Sequence, residues 1–487
     1  MRFPFIGPAY LSRSLNMNAQ RCVNLYPEVD KSSRKVIGLY GTPGKTLRVT
    51  AGSGPIRGMY TGETYLYAVS GNEVYYIDTS WTATALSGTL NTSTGTVAMD
   101  ENASQLIIAD GGDLYTVTLP TGAVTAVGDA DVPASPSRVT VMDGYAITDN
   151  VGTGKFYISS INDATAWDAL DFATAEGKPD DILTLLADHR ELWLLGTKTT
   201  EVWTNSGNSD FPFERIQGAF IEQGCAAKHA VCKADNSIFW IGSSDRGDSQ
   251  IFCATGYQPK VISTPALEFA ISNYSTISDA IAWVHEEEGH VFIVFTFPTG
   301  NATWVYDVAM SAKAGEPMWH ERAYMTPATS ALNRDRANAH AFFNRFHVIG
   351  DFENGKIYSL DLDVYTDNAE YIKRLRSSGT SIDNRVYEAS MTDPVKAVWT
   401  GANLEVTKGH DRIFHNRLQL SMETGVGLVI GQGYDPQVMM RYSNDNGHTW
   451  SNELWGGAGL YTGGGGNLGE FKRRVIFRRL GWTFTEE

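Results

Sequence analysis

The chain has 487 residues, 42% of them hydrophobic and 19% charged, with a formal net charge of −16. This excludes a single small domain and a disordered chain, and no apolar run reaches the roughly 18 residues that a membrane-spanning helix needs. The 48 Gly, 22 Tyr, 21 Phe and 12 Trp point to many turns joined by aromatic-rich strands.

Taken in chain order, residues 1–56 carry 8 Lys/Arg against 2 Asp/Glu and lack repeat character. They read as an extended segment that bridges subunits or closes a ring. The opening MRFPFIGPAY has no apolar core followed by a small-residue cleavage site, so no signal peptide is expected. Gly44-Lys45-Thr46 ends like a phosphate-binding loop, but the first glycine of that motif falls on Leu39 and a strand-like run follows. Nucleotide binding is not expected.

Residues 57–363 carry 17 Lys/Arg against 39 Asp/Glu, so they hold the chain's excess negative charge. They also repeat. Units of strand, turn and aromatic-rich strand open at Arg57, Ala98, Arg138, Ile182, Ala226, Asp279 and Asn338. Runs such as Leu192–Leu195 and Phe292–Phe295 read as short buried strands. Gly-, Asn- and Asp-rich turns such as Ser70-Gly71-Asn72, Asp110-Gly111-Gly112 and Glu353-Asn354-Gly355 suit hairpins. Repeats of this length predict a β-propeller, because a lone blade cannot bury both faces and a closed ring of them can. The count is seven blades, with six plus a divergent segment as the alternative count and a β-sandwich array as the alternative fold.

Three motifs in this region come close to chemistry and miss it. His285 and His290 lack the i, i+4 helical spacing of a zincin and sit at a charged hairpin tip. Cys225 and Cys232, with His229 between them, match no zinc spacing and read as buried structural thiols. Arg246-Gly247-Asp248 is turn chemistry. The four cysteines, which include Cys22 and Cys253, are too scattered for a disulfide framework and fit a reducing site of synthesis. No cofactor, metal or catalytic residue is expected.

Residues 364–412 lack the repeat and read as an insertion or arm. Strands resume over 413–487 and predict a smaller antiparallel, sandwich-like β domain, with no amphipathic helix standing out anywhere. The most specific string is Ser443, Asp445, Gly447, Thr449 and Trp450, which match an Asp-box, S-x-D-x-G-x-T-W. Its Asp and Gly shape a hairpin turn and its Trp is expected to pack beneath it; recurrence of the box in sialidases supplies an enzymatic alternative. Lys472, Arg473, Arg474, Arg478 and Arg479 are candidate contacts for acidic partners or neighbouring subunits.

Gly7–Tyr10, Asn18–Glu28 and Leu39–Gly44, with Glu201–Asn205, Gly242–Pro259, Trp304–Asp307 and Arg473–Arg479, resemble the tail nozzle proteins of short-tailed phages. That family is also called the packaged-DNA stabilisation proteins or tail accessory factors. The resemblance implies a non-enzymatic virion protein of the tail, assembled in the host bacterial cytoplasm. It implies a homohexameric ring below the portal and its adaptor, extending the DNA exit channel and retaining the packaged genome. Needle, spike or fibre proteins attach distally, and double-stranded DNA passes without sequence-specific binding. An acidic wall fits such a passage, since Lys/Arg contacts to phosphate would tether the DNA. A carbohydrate-binding tail adhesin or depolymerase, or a sialidase-like hydrolase, is the alternative function.

Overall fold

The computed structural model describes residues 8–9, 21–29, 36–244, 247–329 and 331–376 of the first part of the chain. Toward the C-terminus it describes 412–414, 417–420, 422, 437–444, 449–458, 474–478, 480 and 482–484. The chain divides into two units, one built on Arg21–Arg376 and the other drawn from Ser377–Glu487.

The first unit is a seven-bladed β-propeller. Blades 1 to 4 are four-stranded antiparallel sheets spanning Ile56–Ala85, Ala98–Ala126, Val139–Thr174 and Ile182–Ile221. Blade 5 runs from Gly224 to Val261, blade 6 from Ile281 to Glu321 and blade 7 from Ala337 to Asp361. The first strands of successive blades lie against one another and form the inner ring. Side chains stitch that ring to main chain. Asp100 Oδ2 accepts from Val141 N at 2.7 Å, Lys233 Nζ donates to Ala187 O at 3.1 Å, and Asn338 Nδ2 donates to Ile56 O at 2.8 Å.

Packing explains the apolar runs. Every residue of Leu66–Ser70 is buried, as is nearly all of Gln105–Ala109 and Glu191–Gly196, because each second strand is covered by a neighbouring blade on both faces. Clusters such as Tyr67, Val69, Leu106 and Ile108 fill one seam, and Phe156, Ile158, Leu192 and Leu194 fill another. Full burial of each such Leu, Ile or Phe contributes about 1.5–3 kcal/mol. The hairpin joining the first two strands is the same in five blades. Asp143-Gly144, His189-Arg190, Asp235-Asn236, Glu288-Gly289 and Asn344-Arg345 all have positive φ at both positions, the geometry of a two-residue turn that matches strand twist.

Two helices were not anticipated from sequence. Pro265–Ser272 starts on Thr264, whose side chain accepts from Leu267 N; Val308–Ala314 starts on Asp307 and stops at Gly315, where φ is +78°. At eight and seven residues they are too short to show a periodic apolar face, and only their caps mark them.

The ring is closed by the N-terminal segment. Gly44–Thr50 pairs with Lys356–Asp361 as the fourth strand of blade 7, and Cys22–Val23 adds in parallel to Trp319–Glu321 of blade 6. Part of the arm expected beyond residue 363 belongs to this unit. Thr366–Asp367 pairs with Gly44–Thr50, and Leu375–Arg376 pairs with Cys22–Val23.

In the C-terminal unit, three antiparallel pairs are described: Arg412–Phe414 with Trp482–Phe484, Arg417–Leu420 with Val475–Arg478, and Gln437–Met440 with Leu454–Gly457. Ala458, Val475 and Phe477 form its core, packed by Leu418, Leu420, Val438, Met440 and Leu454.

Candidate functional site: the closure seam

Three segments distant in sequence meet where the N-terminal strands enter blades 6 and 7. Asn24, at φ +53°, turns the chain between Cys22–Val23 and Leu25–Val29. Its amide donates to Ala323 O at 2.8 Å and Lys373 O at 2.9 Å, and its carbonyl accepts from Ala323 N at 2.9 Å. Arg21 grips Glu321 through Nε to Oε1 and Nη2 to Oε2, both at 2.9 Å. Gly44 is required where it stands, since a Cβ there would lie 2.1 Å from the main-chain oxygen of Val364.

Deeper in the seam, Lys45 Nζ donates to Asp335 Oδ2 at 2.8 Å and Asp367 Oδ2 at 3.1 Å, with all three side chains buried. Burial alone would lower the Lys45 pKa, but the two carboxylates outweigh it and hold the ammonium above its ordinary value. Asp335, which burial would raise, is held below the usual carboxylate range by Lys45 and by the N–H of Ala337.

Beside this triad lie five histidines. His290 Nδ1 bonds Asp307 Oδ2, and its Nε2 faces Glu28 Oε2 at 3.2 Å. Burial opposes protonation, yet these carboxylates outweigh it and raise the His290 pKa. The others behave oppositely. His285 and His320 are 1% and 0% exposed, and burial, assisted by the Arg322 charge, pushes both well below the ordinary histidine value. His340 is pushed down to about 3, and His347 is also lowered. The tautomers follow from the partners. Arg322 Nη2 can only donate, so His285 Nε2, 3.1 Å away, accepts. His347 Nε2 donates to Glu286 O at 2.8 Å, so its Nδ1 accepts from His340 Nε2 at 3.1 Å. Trp283 stacks on His340 with centroids 4.8 Å apart, and His290 stacks on Phe292 at 5.2 Å.

His290 and Asp307 stand as a general base and its orienting carboxylate would. Among the described residues no nucleophile faces it: Nε2 faces Glu28, and the nearby Ser311 Oγ donates to the main-chain oxygen of Asp307 at 2.5 Å. Its chemistry is that of a clamp. Among the described residues, no group of three or more His, Cys, Asp or Glu is placed to hold a metal ion. Cys22, Cys225 and Cys232 are buried free thiols, with Cys225 pushed up to about 12 by burial, and Cys253 is partly buried.

The residues singled out from sequence fall elsewhere. His285 and His290 do flank a hairpin turn, but their side chains point into the seam and are buried. Of the Asp-box residues, Ser443, Thr449 and Trp450 are described, while Asp445 and Gly447 lie outside the described residues. On either side of the string, Ser451 N donates to Tyr442 O at 2.8 Å. Trp450 is 51% exposed, and the Arg441 guanidinium lies 6.0 Å from its ring. Arg474 and Arg478 are exposed at and beside one strand. Lys472, Arg473, Arg479 and Arg246 lie outside the described residues. The seam itself was missed, although five of the chain's ten histidines fall between 285 and 347, and that clustering was available.

The first unit is thus a closed propeller of seven blades, fastened by its own N-terminal strands through main-chain pairing and buried ion pairs. The comparisons make this specific. Residues 1–365 match the family model described as bacteriophage P22 Gp10, beta-propeller, and the chain belongs to that family. It is accordingly a phage structural protein of the tail, a component of the virion. No curated protein sequence matches the chain. Among solved structures it is similar to YCF48 bound to a peptide, at 12% identity over 69% of this chain and 99% of that one, with a TM-score of 0.43. It is also similar to the N-terminal domain of Nup159, at 8% identity over 73% and 98%, with a TM-score of 0.40. PorZ of Porphyromonas gingivalis is a third, at 13% identity over 86% and 46%, with a TM-score of 0.37.

Proposed function

We propose that the chain forms the nozzle of a phage tail, a homohexameric ring that continues the DNA exit channel below the portal and its adaptor and helps retain the packaged genome. The observation that carries the reading is the family match across the whole propeller. The closure seam supports it physically. A ring component under internal pressure must not open where its last blade meets the start of the chain, and here blade 7 is fastened to the N-terminal strand by main-chain pairing and buried ion pairs. The charge supports it too, since acidic loops of 57–363 facing the lumen would let DNA slide. Exposed Arg474 and Arg478 supply an attachment surface for adaptor, needle or fibre proteins.

The test is cryo-electron microscopy of the purified protein mixed with a portal–adaptor complex. Six-fold density capping the complex is expected; a chain that stays monomeric and unbound overturns the proposal. A carbohydrate-binding tail adhesin is the second reading. It is favoured by Trp450 and Trp455, which are 51% and 61% exposed on the C-terminal unit. Binding to host-envelope glycans that is lost in Trp455→Ala would select it.

A further inference from the structure

Within the closure seam lies a small cavity of about 20 Å³, lined by Asn24, Thr42, Pro43 and Lys45 of the N-terminal segment, by Trp283, Arg322 and Asp335, and by Asp367. Three of these side chains are more than nine-tenths buried and carry a polar atom with no partner among the described residues: Trp283 Nε1, Arg322 Nε and Asp367 Oδ1. Leaving such a group unsatisfied costs about 1–3 kcal/mol, and more where the group is charged. Three together in one lining is a built arrangement.

We propose that this cavity is a binding site for one water molecule, which accepts from Trp283 Nε1 and Arg322 Nε and donates to Asp367 Oδ1. The chemistry selects the ligand. Two N–H donors disfavour a metal cation, and Asp335 with Asp367 disfavours an anion. The volume suits a single water and nothing larger. A water has the required two acceptor sites and a donor proton. So placed, it bonds blade 6 to the segment that returns past blade 7, beside the Lys45 triad that ties that segment to the N-terminal strand. The water is thus a structural member of the ring closure. This inference does not depend on the nozzle reading and concerns the isolated propeller fold.

The test is a high-resolution crystal map of the full chain, together with water-to-indole magnetisation transfer on protein labelled at tryptophan, where Trp283→Phe identifies the Trp283 signal. The expected result is a density peak within about 3.2 Å of all three atoms, and a direct water cross-peak to the Trp283 indole proton that no bulk-exposed indole shows with the same sign. An empty cavity, a Trp283 indole bonded to a protein oxygen, or anomalous scattering at the peak after bromide or rubidium soaking would each overturn it. Trp283→Phe also removes one donor while leaving an aromatic ring to stack on His340. Its map should show the peak weakened or displaced, and an unchanged peak would remove Trp283 from the site.

Discussion

Lys45 and Asp367 are 322 positions apart in sequence and 3.1 Å apart in the fold. Their contact, shared with Asp335, joins the strand that completes blade 7 to the segment that follows it. Two carboxylates and one ammonium buried together depend on one another, since each charge is compensated only by the rest. Lys45→Met should therefore destabilise the propeller by about 3–5 kcal/mol, because two carboxylates lose their counterion. The triple change Lys45→Met, Asp335→Asn, Asp367→Asn should recover much of that loss. Denaturant titration of the three proteins measures it, and a triple variant as unstable as the single one would contradict the account.

Acid should weaken the same seam through its histidines. His285 and His320 have native pKa values well below the ordinary 6.5, so below about pH 6.5 the unfolded chain takes up protons that the folded chain refuses. Stability falls as pH falls from there, by up to about 1.4 kcal/mol per pH unit for each. The groups facing them act in the same direction: Arg322, His340 and His347 on His285, and Arg322 and His290 on His320. His290 itself runs the other way. Its raised pKa makes its clamp on Asp307 and Glu28 strongest below about 6.5 and loosens it as pH rises through the native value. The expected net effect is a denaturation midpoint that drops between pH 7 and pH 5. A midpoint flat across that range would show that these rings are not buried as neutral bases.

Much of the fold is visible in the residues, and the reasons are local. Leu192–Leu195 and Phe292–Phe295 announce buried strands because both faces are covered, and Asp143-Gly144 announces a turn because its residues tolerate positive φ. His189-Arg190 and Asn344-Arg345 take the same turn without that signature, because the paired strands on either side impose it. The Lys45 triad of the seam was illegible for a different reason, whereas the seam's histidines were at least clustered in sequence. Lys45, Asp335 and Asp367 are ordinary charged residues in sequence, and only ring closure brings them together. Lys45 was met as a failed phosphate loop, and its actual partners lie roughly three hundred residues away. Thr366–Asp367, Glu370–Tyr371 and Leu375–Arg376 are strands of two residues and carry no periodicity that a sequence could show.

Arg57 offers a test away from the seam. It is 1% exposed, and its guanidinium donates to Gly71 O, Thr92 O, Thr94 O, Gly95 O and Thr92 Oγ1 at 2.7–2.9 Å. One side chain thus organises the loop that leads from blade 1 into blade 2. Arg57→Met leaves those carbonyls without donors and should cost about 2–4 kcal/mol. Protease should then cut first within 91–97, and a variant whose first cleavage lies elsewhere would show that the loop holds itself.

Arg417 and Arg478 face each other directly across an antiparallel pair in the C-terminal unit, and both are exposed. Like charges opposite one another are unfavourable, by up to about 1 kcal/mol. Arg474, on the same strand's approach, adds a third positive group. An isolated domain has no use for this arrangement, whereas a surface that receives an acidic partner does. Arg478→Glu separates a partner surface from a solvated face because the two differ in what they predict for assembly. It places a carboxylate opposite Arg417, so the isolated chain should keep or slightly gain stability. On the proposed nozzle reading, assembly with the portal–adaptor complex or with neighbouring subunits should at the same time weaken at least tenfold, and charge reversal on the partner should restore it. Unaltered assembly together with raised stability would mark these arginines as a solvated face with no partner.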